Sequence, residues 1–398
     1  MHENTAQIEG RNTDRQSERS RSPLRIMILT RSLVTGGAER QLVTIAKGLH
    51  RKGHRVAVGV FYENGRFEKD LMDFGVPVYA LGKNGRWDFW RFMERLKALV
   101  EKEAPEIISA CHTTPNIFAM LLKPFFPRIP IVLGIRASNM DMTQYDPMAR
   151  LTDSMVRRLG CIANLVIANS RAGAEYAMRH GLPKRRLMVI QNGIDTEAFY
   201  PDAQAGKTLR AKWGLGPGER LIGIVGRFDP QKGYPIFFRA ATLLSAVNRG
   251  FRFIVAGDGP SGFSSGLRRL TMELGIQDRV IWAGLRIDMR SVYSALDVLC
   301  SSSVYGEGFS NAVGEAMACG VPCAVTDVGD SAEIVDGLGE VSPPGDTVSL
   351  KEALMRLLDR TRFEPALSGD CRSRIERLYS VEKMVNATEA AFMKTCGF

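Results

Sequence analysis

The sequence predicts an α/β protein made of two domains, each a parallel sheet covered by helices. Three observations lead there. Short apolar runs alternate with longer segments of helical period, as expected when strands are buried on both faces and helices cross between them. The alternation stops near residue 190 and restarts near residue 221. A chain of 398 residues also exceeds one ordinary core, so two domains of about 150–200 residues each are expected.

The elements follow in order. The first apolar run is Arg25–Thr30, then a glycine-containing loop, Thr35-Gly-Gly-Ala-Glu39, and a helix from about Glu39 to Arg51. Gly53 ends that helix before a strand at Arg55–Phe61. Further strands are expected at Val76–Leu81, Ile107–Cys111, Ile131–Ile135 and Leu165–Ala168, and a last strand of this half runs out in Val189-Ile-Gln-Asn-Gly-Ile-Asp195. Residues 196–219 are polar and carry Pro201, Pro217, Gly206, Gly214, Gly216 and Gly218, which reads as a connection. The second series has strands at Leu221–Val225, Phe253–Ala256, Val280–Trp282, Val298–Ser301 and Pro322–Thr326. We therefore divide the chain into residues 24–195, residues 196–380 and an amphipathic final helix, about Val381 to Lys394, able to pack on either domain. The halves share an architecture but show no sequence repeat.

Residues 1–23 form a basic tail with Arg11, Arg15, Arg19 and Arg21 and few apolar side chains. Too little surface can be buried there to offset ordering, so the tail is expected to be disordered; no apolar segment follows it as a secretory signal requires. Hydrophobic residues at 45% and charged residues at 24% are otherwise ordinary for a globular protein. The formal charge of +10 suits phosphorylated ligands or an anionic membrane surface. The interleaved aromatics and basic clusters of nucleic-acid modules are missing, so no nucleic-acid partner is expected. The seven cysteines include no C-x-x-C pair, and several lie in apolar runs such as Val298-Leu-Cys300, which fits a reducing, cytoplasmic setting. The long apolar stretch Ile117–Ile135 is broken by Lys123, Arg128 and three prolines, so it does not read as a membrane span.

The strongest chemical signal is Tyr305-Gly-Glu-Gly-Phe-Ser-Asn-Ala-Val-Gly-Glu-Ala-Met-Ala-Cys-Gly-Val-Pro322. Ser310 is a good N-cap and Gly320 with Pro322 stops the helix, which places it at about Asn311–Cys319. Its first N–H groups form a ready anion site. Glu307 and Glu315 flank that site; carboxylates repel phosphate, so their expected work is to accept hydrogen bonds from sugar hydroxyls. Gly306 and Gly308 are expected to hold the preceding loop open. In Ile222-Gly-Ile-Val-Gly-Arg-Phe-Asp-Pro-Gln-Lys-Gly233 a buried strand ends in a loop with Arg227 and Lys232, cations suited to a diphosphate.

These residues together resemble the retaining glycosyltransferases of family four, which have the GT-B fold. The shared features are the E-x(7)-E spacing of Glu307 and Glu315, the Arg227/Lys232 loop, Asn192-Gly-Ile-Asp195, Ala256-Gly-Asp-Gly-Pro260 and Gly36-Gly-Ala-Glu-Arg40. The likeness runs from about Arg25 to the C-terminus. It implies two facing Rossmann-like domains with a cleft between them, acceptor held mainly by the first and nucleotide sugar by the second. It also implies transfer with retention of anomeric configuration and no required cofactor or metal. Carried over by position, Arg227 and Lys232 bind the donor diphosphate, Glu307 the donor sugar and Glu315 the ribose. The backbone of Phe309, Ser310 and Asn311 holds phosphate and sugar oxygens. Gly36 and Gly37 let the first domain approach the diphosphate, groups near Gly284 and Leu285 meet the base, and His112 lies near the reacting carbon. The transfer step is thus expected of Glu307, Arg227, Lys232 and His112.

This chain departs from the family in having Ser310 where Gly is frequent, and Val328-Gly-Asp-Ser-Ala-Glu333 where a Gly-Gly turn precedes the later Glu. No D-x-D motif and no His/Cys cluster of metal-ligand spacing occurs, which leaves Arg, Lys and the helix dipole to neutralise charge. The expected reaction is transfer from an NDP-sugar, a UDP-sugar by preference, to a saccharide or lipid-linked saccharide in cell-surface polysaccharide or glycolipid synthesis. A nucleotide-sugar epimerase on the same fold and a non-catalytic nucleotide-sugar-binding protein are the alternatives. Arg86–Val100 and Lys123-Pro-Phe-Phe-Pro-Arg128 are candidate contacts with a membrane, and Asp141 and Asp146 with an acceptor.

Overall fold

The computed structural model describes residues 23–34, 36–85, 88–136, 138, 154–155 and 158–398. The basic tail (Pro23 excepted), Arg86, Trp87, Asp141 and Asp146 lie outside the described residues.

Two wholly parallel sheets account for every named strand. The first contains β1 (Arg25–Thr30), β2 (Arg55–Val60), β3 (Val78–Ala80), β4 (Ile107–Cys111), β5 (Ile131–Ile135), β6 (Leu165–Ala168) and β7 (Leu187–Val189), in the order β3-β2-β1-β4-β5-β6-β7. Its helices are α1 (Gly37–Arg51), α2 (Arg66–Asp73), α3 (Phe89–Glu103), α4 (Thr113–Leu121) and α5 (Arg171–Arg179). The second contains β8 (Arg220–Val225), β9 (Phe251–Ala256), β10 (Val280–Gly284), β11 (Val298–Ser301), β12 (Cys323–Thr326) and β13 (Glu340–Ser342), in the order β10-β9-β8-β11-β12-β13. Around it stand α6 (Ala203–Lys212), α7 (Tyr234–Val247), α8 (Ser261–Glu273), α9 (Met289–Ala295), α10 (Asn311–Ala318), α11 (Ser331–Val335), α12 (Thr347–Phe363) and α13 (Leu367–Leu378). The last helix is α14 (Val381–Cys396).

The strands read from the sequence all form, five with the expected ends and the others with ends moved by no more than two residues; β13 is an addition to them. Central strands bury both faces: Ile222, Phe253, Ile254, Val298, Cys323 and Val325 are all fully buried. α14 does not cap the second sheet that precedes it. Its Met384, Val385, Ala391 and Phe392 join the core between the first sheet and α1. Glu389 fastens it there, accepting from Lys52 Nζ at 2.8 Å and from His54 Nε2 at 3.1 Å. Because His54 Nδ1 accepts the backbone N–H of Leu24, the ring proton sits on Nε2 and points at Glu389.

Both sheets reverse strand order between their first strand and the fourth in chain order, at β1/β4 and at β8/β11. A parallel sheet opens a crevice at the carboxyl ends of such strands, because their crossover helices leave to opposite sides. The loop before α1, residue His112, the Arg227/Lys232 loop and the loop before α10 all leave from those ends.

Candidate active site between the two domains

The amino ends of α1 and α10 meet across the domains. A Cβ added to Gly37 would lie 2.7 Å from Asn311 Nδ2, so a larger residue there must displace the Asn311 amide. The Asn311 side chain accepts from Asn192 Nδ2 at 2.9 Å and Gln41 Nε2 at 3.3 Å. Gln41 also spans Gly193, donating to its carbonyl at 2.9 Å and accepting its N–H at 3.1 Å. Arg136 Nη1 donates to Asn192 Oδ1 at 3.0 Å. This network ties the first domain to the start of α10.

Two buried carboxylates border that start. Glu307 accepts both of its contacts to Lys232 Nζ at 2.9 Å, one from Gln231 Nε2 at 3.1 Å, and one from Ser303 Oγ at 3.4 Å. Glu315, one turn inside α10, accepts from Arg40 Nη1 at 2.7 Å and from the Tyr293 hydroxyl at 2.9 Å. Burial pushes the Glu315 carboxyl above its usual range, while Arg40 and Tyr293 pull it back without cancelling the rise. The Tyr293 hydroxyl is held far up by the same burial and by Glu315 beside it, so it stays a donor.

The expected site residues fall into four groups. Glu307, Glu315, Lys232, Phe309, Ser310, Asn311, Gly36 and Gly37 come together around the two helix ends. Arg227 is 70% exposed along its side chain and its Nη2 pairs with Asp229 Oδ2 at 2.9 Å; its pairing is with Asp229 and not with the Lys232–Glu307 pair. Gly284 and Leu285 stand at the end of edge strand β10, Gly284 with φ 65° and Leu285 exposed. Two local expectations are corrected. Ser310 is the N-cap residue, but its hydroxyl makes no capping bond; only its carbonyl serves the helix, accepting from Gly314 N at 3.1 Å. Gly308 does not hold its loop open: a Cβ there would meet Asn169 Oδ1 at 2.6 Å, so the small residue admits the other domain.

His112 caps α4 with φ 78° and ψ 159°, a region that costs a side-chain-bearing residue about 1–3 kcal/mol. Its Nδ1 is buried without a partner. Burial lowers the imidazole's affinity for a proton; Glu39 opposes this, and Arg136 and Arg31 add to it. A strained, neutral imidazole with an unused nitrogen thus sits at the β4 end. Arg40, Gln41, Tyr293, Gln231 and Arg136 escaped sequence reasoning. Two of them left a signal there: Arg40 as the last residue of Gly36-Gly-Ala-Glu-Arg40, and Gln231 beside Lys232 in the loop after the Ile222 strand.

Comparison with known proteins agrees with this architecture. Residues 35–198 match the model described as Glycosyltransferase Family 4, and residues 219–360 the one described as Glycosyl transferases group 1. The 2-deoxystreptamine glucosyltransferase of Streptomyces kanamyceticus is 27% identical over 298 residues, covering 70% of this chain and 74% of that protein. The lipopolysaccharide core biosynthesis mannosyltransferase LpsB of Rhizobium meliloti (strain 1021) is 30% identical over 245 residues, 60% of this chain and 66% of its own. Among solved structures, Anabaena Alr3699/HepE in complex with UDP-glucose superposes with a TM-score of 0.82 at 22% identity, covering 93% of this chain and 99% of that one. With both halves matched in chain order and the two-sheet architecture shared, this chain belongs to the family-four, group-1 glycosyltransferases of the GT-B fold.

Proposed function

We propose that this enzyme transfers a hexosyl or N-acetylhexosaminyl group from a UDP-sugar to a saccharide or lipid-linked saccharide hydroxyl, with retention of configuration. The observation that carries the reading is the meeting of two helix amino ends beside Lys232, with Glu307 and Glu315 buried at the same place. Helix dipoles and an ammonium suit a diphosphate that gains negative charge as the glycosidic bond breaks. On this reading the carboxylates accept hydroxyl hydrogen bonds, Glu315 from ribose and Glu307 from the sugar, and His112, whose Nδ1 has no protein partner, serves the reacting carbon. Residues 24–195 would hold the acceptor and 196–380 the donor. The choice of uridine is supported by the UDP and UDP-glucose complexes of the Anabaena protein, and no cofactor beyond the donor is invoked.

Thermal-shift titration with UDP, GDP and ADP, then with their sugars, tests the reading. UDP should raise the melting temperature of the wild type and not of Glu315→Gln, and Glu315→Gln should lose turnover. Equal response of the two proteins to UDP would remove the donor-site assignment.

A membrane-bound acceptor is supported by one surface. Trp90 on α3 is 78% exposed and Phe125 53%, and Lys97 Nζ lies 4.1 Å from the Phe125 ring centroid. Exposed aromatics with basic side chains suit an anionic bilayer interface. No helix among the described residues is long and apolar enough to cross a membrane; the contact proposed is peripheral, at the cytoplasmic face. Co-sedimentation with phosphatidylglycerol vesicles should fall severalfold in Trp90→Ala/Phe125→Ala; unchanged sedimentation argues against it.

A further inference from the structure

Asp330 is placed unusually for its residue type. It stands at the N-cap position of α11, where an Asp side chain ordinarily accepts from its own helix, yet it makes no such bond. Its carboxylate instead crosses to the first domain and caps a different helix. Oδ2 accepts the backbone N–H of Arg171 at 2.8 Å, and Oδ1 that of Ala172 at 3.0 Å, the first two residues of α5. Gln191 Nε2 adds a third contact at 2.9 Å. The side chain is almost wholly buried. An acceptor with a formal negative charge on two free N–H groups at a helix amino end is a favourable pairing for both partners.

The turn that bears Asp330 is laced to the loop before α10. Asp330 N donates to Gly308 O at 2.9 Å. Gly329, with φ 66°, lies so close that a Cβ would meet the carbonyl oxygens of Gly308 and Glu307 at 2.3 and 2.5 Å. A pull on Asp330 is therefore a pull on Glu307 and Gly308. The family's more frequent Gly-Gly turn has no side chain at this position with which to make such a link.

We infer that Asp330 is an interdomain positioning residue: by capping α5 it fixes the two domains in their closed arrangement and holds the Glu307–Gly308 loop in place for the donor. Only the last clause rests on the proposed donor site; the cap itself is testable without any donor. The proteins to compare are wild type, Asp330→Ala and Asp330→Asn, each as the full chain. Backbone amide exchange at Arg171 and Ala172, without added nucleotide, should speed up at least tenfold in Asp330→Ala and less in Asp330→Asn, which keeps one acceptor oxygen. Small-angle scattering should give a larger radius of gyration for Asp330→Ala, returning towards the wild-type value with saturating UDP. The donor KM should rise severalfold with kcat nearly unchanged, since no group at the reacting centre is removed. Unchanged exchange and scattering in Asp330→Ala would overturn the inference. So would a fall in kcat at constant KM. Should Asp330→Ala fail to fold, unchanged exchange at both amides in Asp330→Asn overturns it equally. Failure of UDP to bind the wild type would instead strike the donor-site reading and leave the cap standing.

Discussion

Replacing Tyr293 by Phe removes one atom from the site and leaves the ring in the core. Tyr293 is completely buried, and its hydroxyl is the donor to Glu315 Oε2, at 2.9 Å; the other carboxylate oxygen is served by Arg40. A hydrogen bond to a charged group contributes about 1.5–3 kcal/mol, and a buried acceptor left without its donor keeps the full desolvation cost. For a domain of this size each kcal/mol moves the melting temperature by about 2–4 °C, so a loss of roughly 4–10 °C is expected near pH 8. Burial already holds the Glu315 carboxyl above its usual value, against the pull of Arg40 and Tyr293; without the hydroxyl it rises further. A carboxyl raised in the folded state stabilises fully below its unfolded value and loses that contribution as pH rises through the folded value. The gap between wild type and variant should therefore be widest at pH 8 and narrow towards the unfolded carboxyl value of about 4.3. Calorimetry across that range, with donor KM measured alongside, checks both parts. A variant that melts within about 1 °C of wild type at pH 8, with unchanged donor KM, would refute the reasoning.

Three further outcomes follow from the same geometry. Lys232→Met should lower kcat by about 10²–10³-fold, the scale of one lost transition-state donor, and should destabilise the protein by up to about 3 kcal/mol by stranding buried Glu307. Adding Glu307→Gln should restore stability and leave turnover low; stability unmoved by the second change would disprove the stranded-charge account. Gly37→Ala should push the Asn311 amide, which stands 2.7 Å from the new Cβ, and raise donor KM by up to about tenfold, or 1.4 kcal/mol, with normal melting; wild-type KM would show that the helix ends are not that close in solution. Glu389→Gln tests the anchoring of α14. Burial raises the Glu389 carboxyl, but hydrogen bonds from Lys52 and His54 and the charge on Lys52 outweigh it and the net shift is downward. Its contribution is thus present above the unfolded carboxyl value and lost as pH falls through the lowered one. The variant should be less stable by about 1–2 kcal/mol at pH 7, and the gap should close only as pH falls from the unfolded carboxyl value through the lowered folded one; a gap independent of pH counts against the pairing.

What the sequence made legible was decided by how local each cause is. Runs such as Ile107–Cys111 are continuous because strands inside a parallel sheet meet helices on both faces, so the runs announce themselves. Glu340–Ser342 does not: three residues including Glu and Ser become a strand only because Ala324–Thr326 pairs with them in register, a fact about β12. The amphipathic period of α14 showed that it packs, but its partner is set by the fit of Met384, Val385 and Phe392 to α1 and by the pairing of Glu389 with residues more than 300 positions away. The candidate site divides in the same manner. Glu307, Glu315 and Lys232 lie in two short motifs and could be read together. Their partners could not, since Arg40 meets Glu315 across 275 positions and Gln41 meets Asn311 across 270.

That division has a physical consequence for how the site works. Two helix amino ends pointed at one another repel, each carrying about half a positive charge, and Lys232, Arg40 and Arg136 stand close by. The arrangement is tolerated because Glu307 pairs with Lys232 and Glu315 with Arg40, and because Asn311, Asn192 and Gln41 consume part of the hydrogen-bonding demand. The first domain therefore supplies one of the two helix ends and the cation on Glu315. An anion entering between the helices relieves repulsion from both sides at once, so its binding favours the closed arrangement by more than its contacts with either half alone. On this argument the affinity for donor and the closure of the cleft are one free energy, and a change that loosens the domain contact should weaken donor binding even when every group around Glu307 and Lys232 is intact.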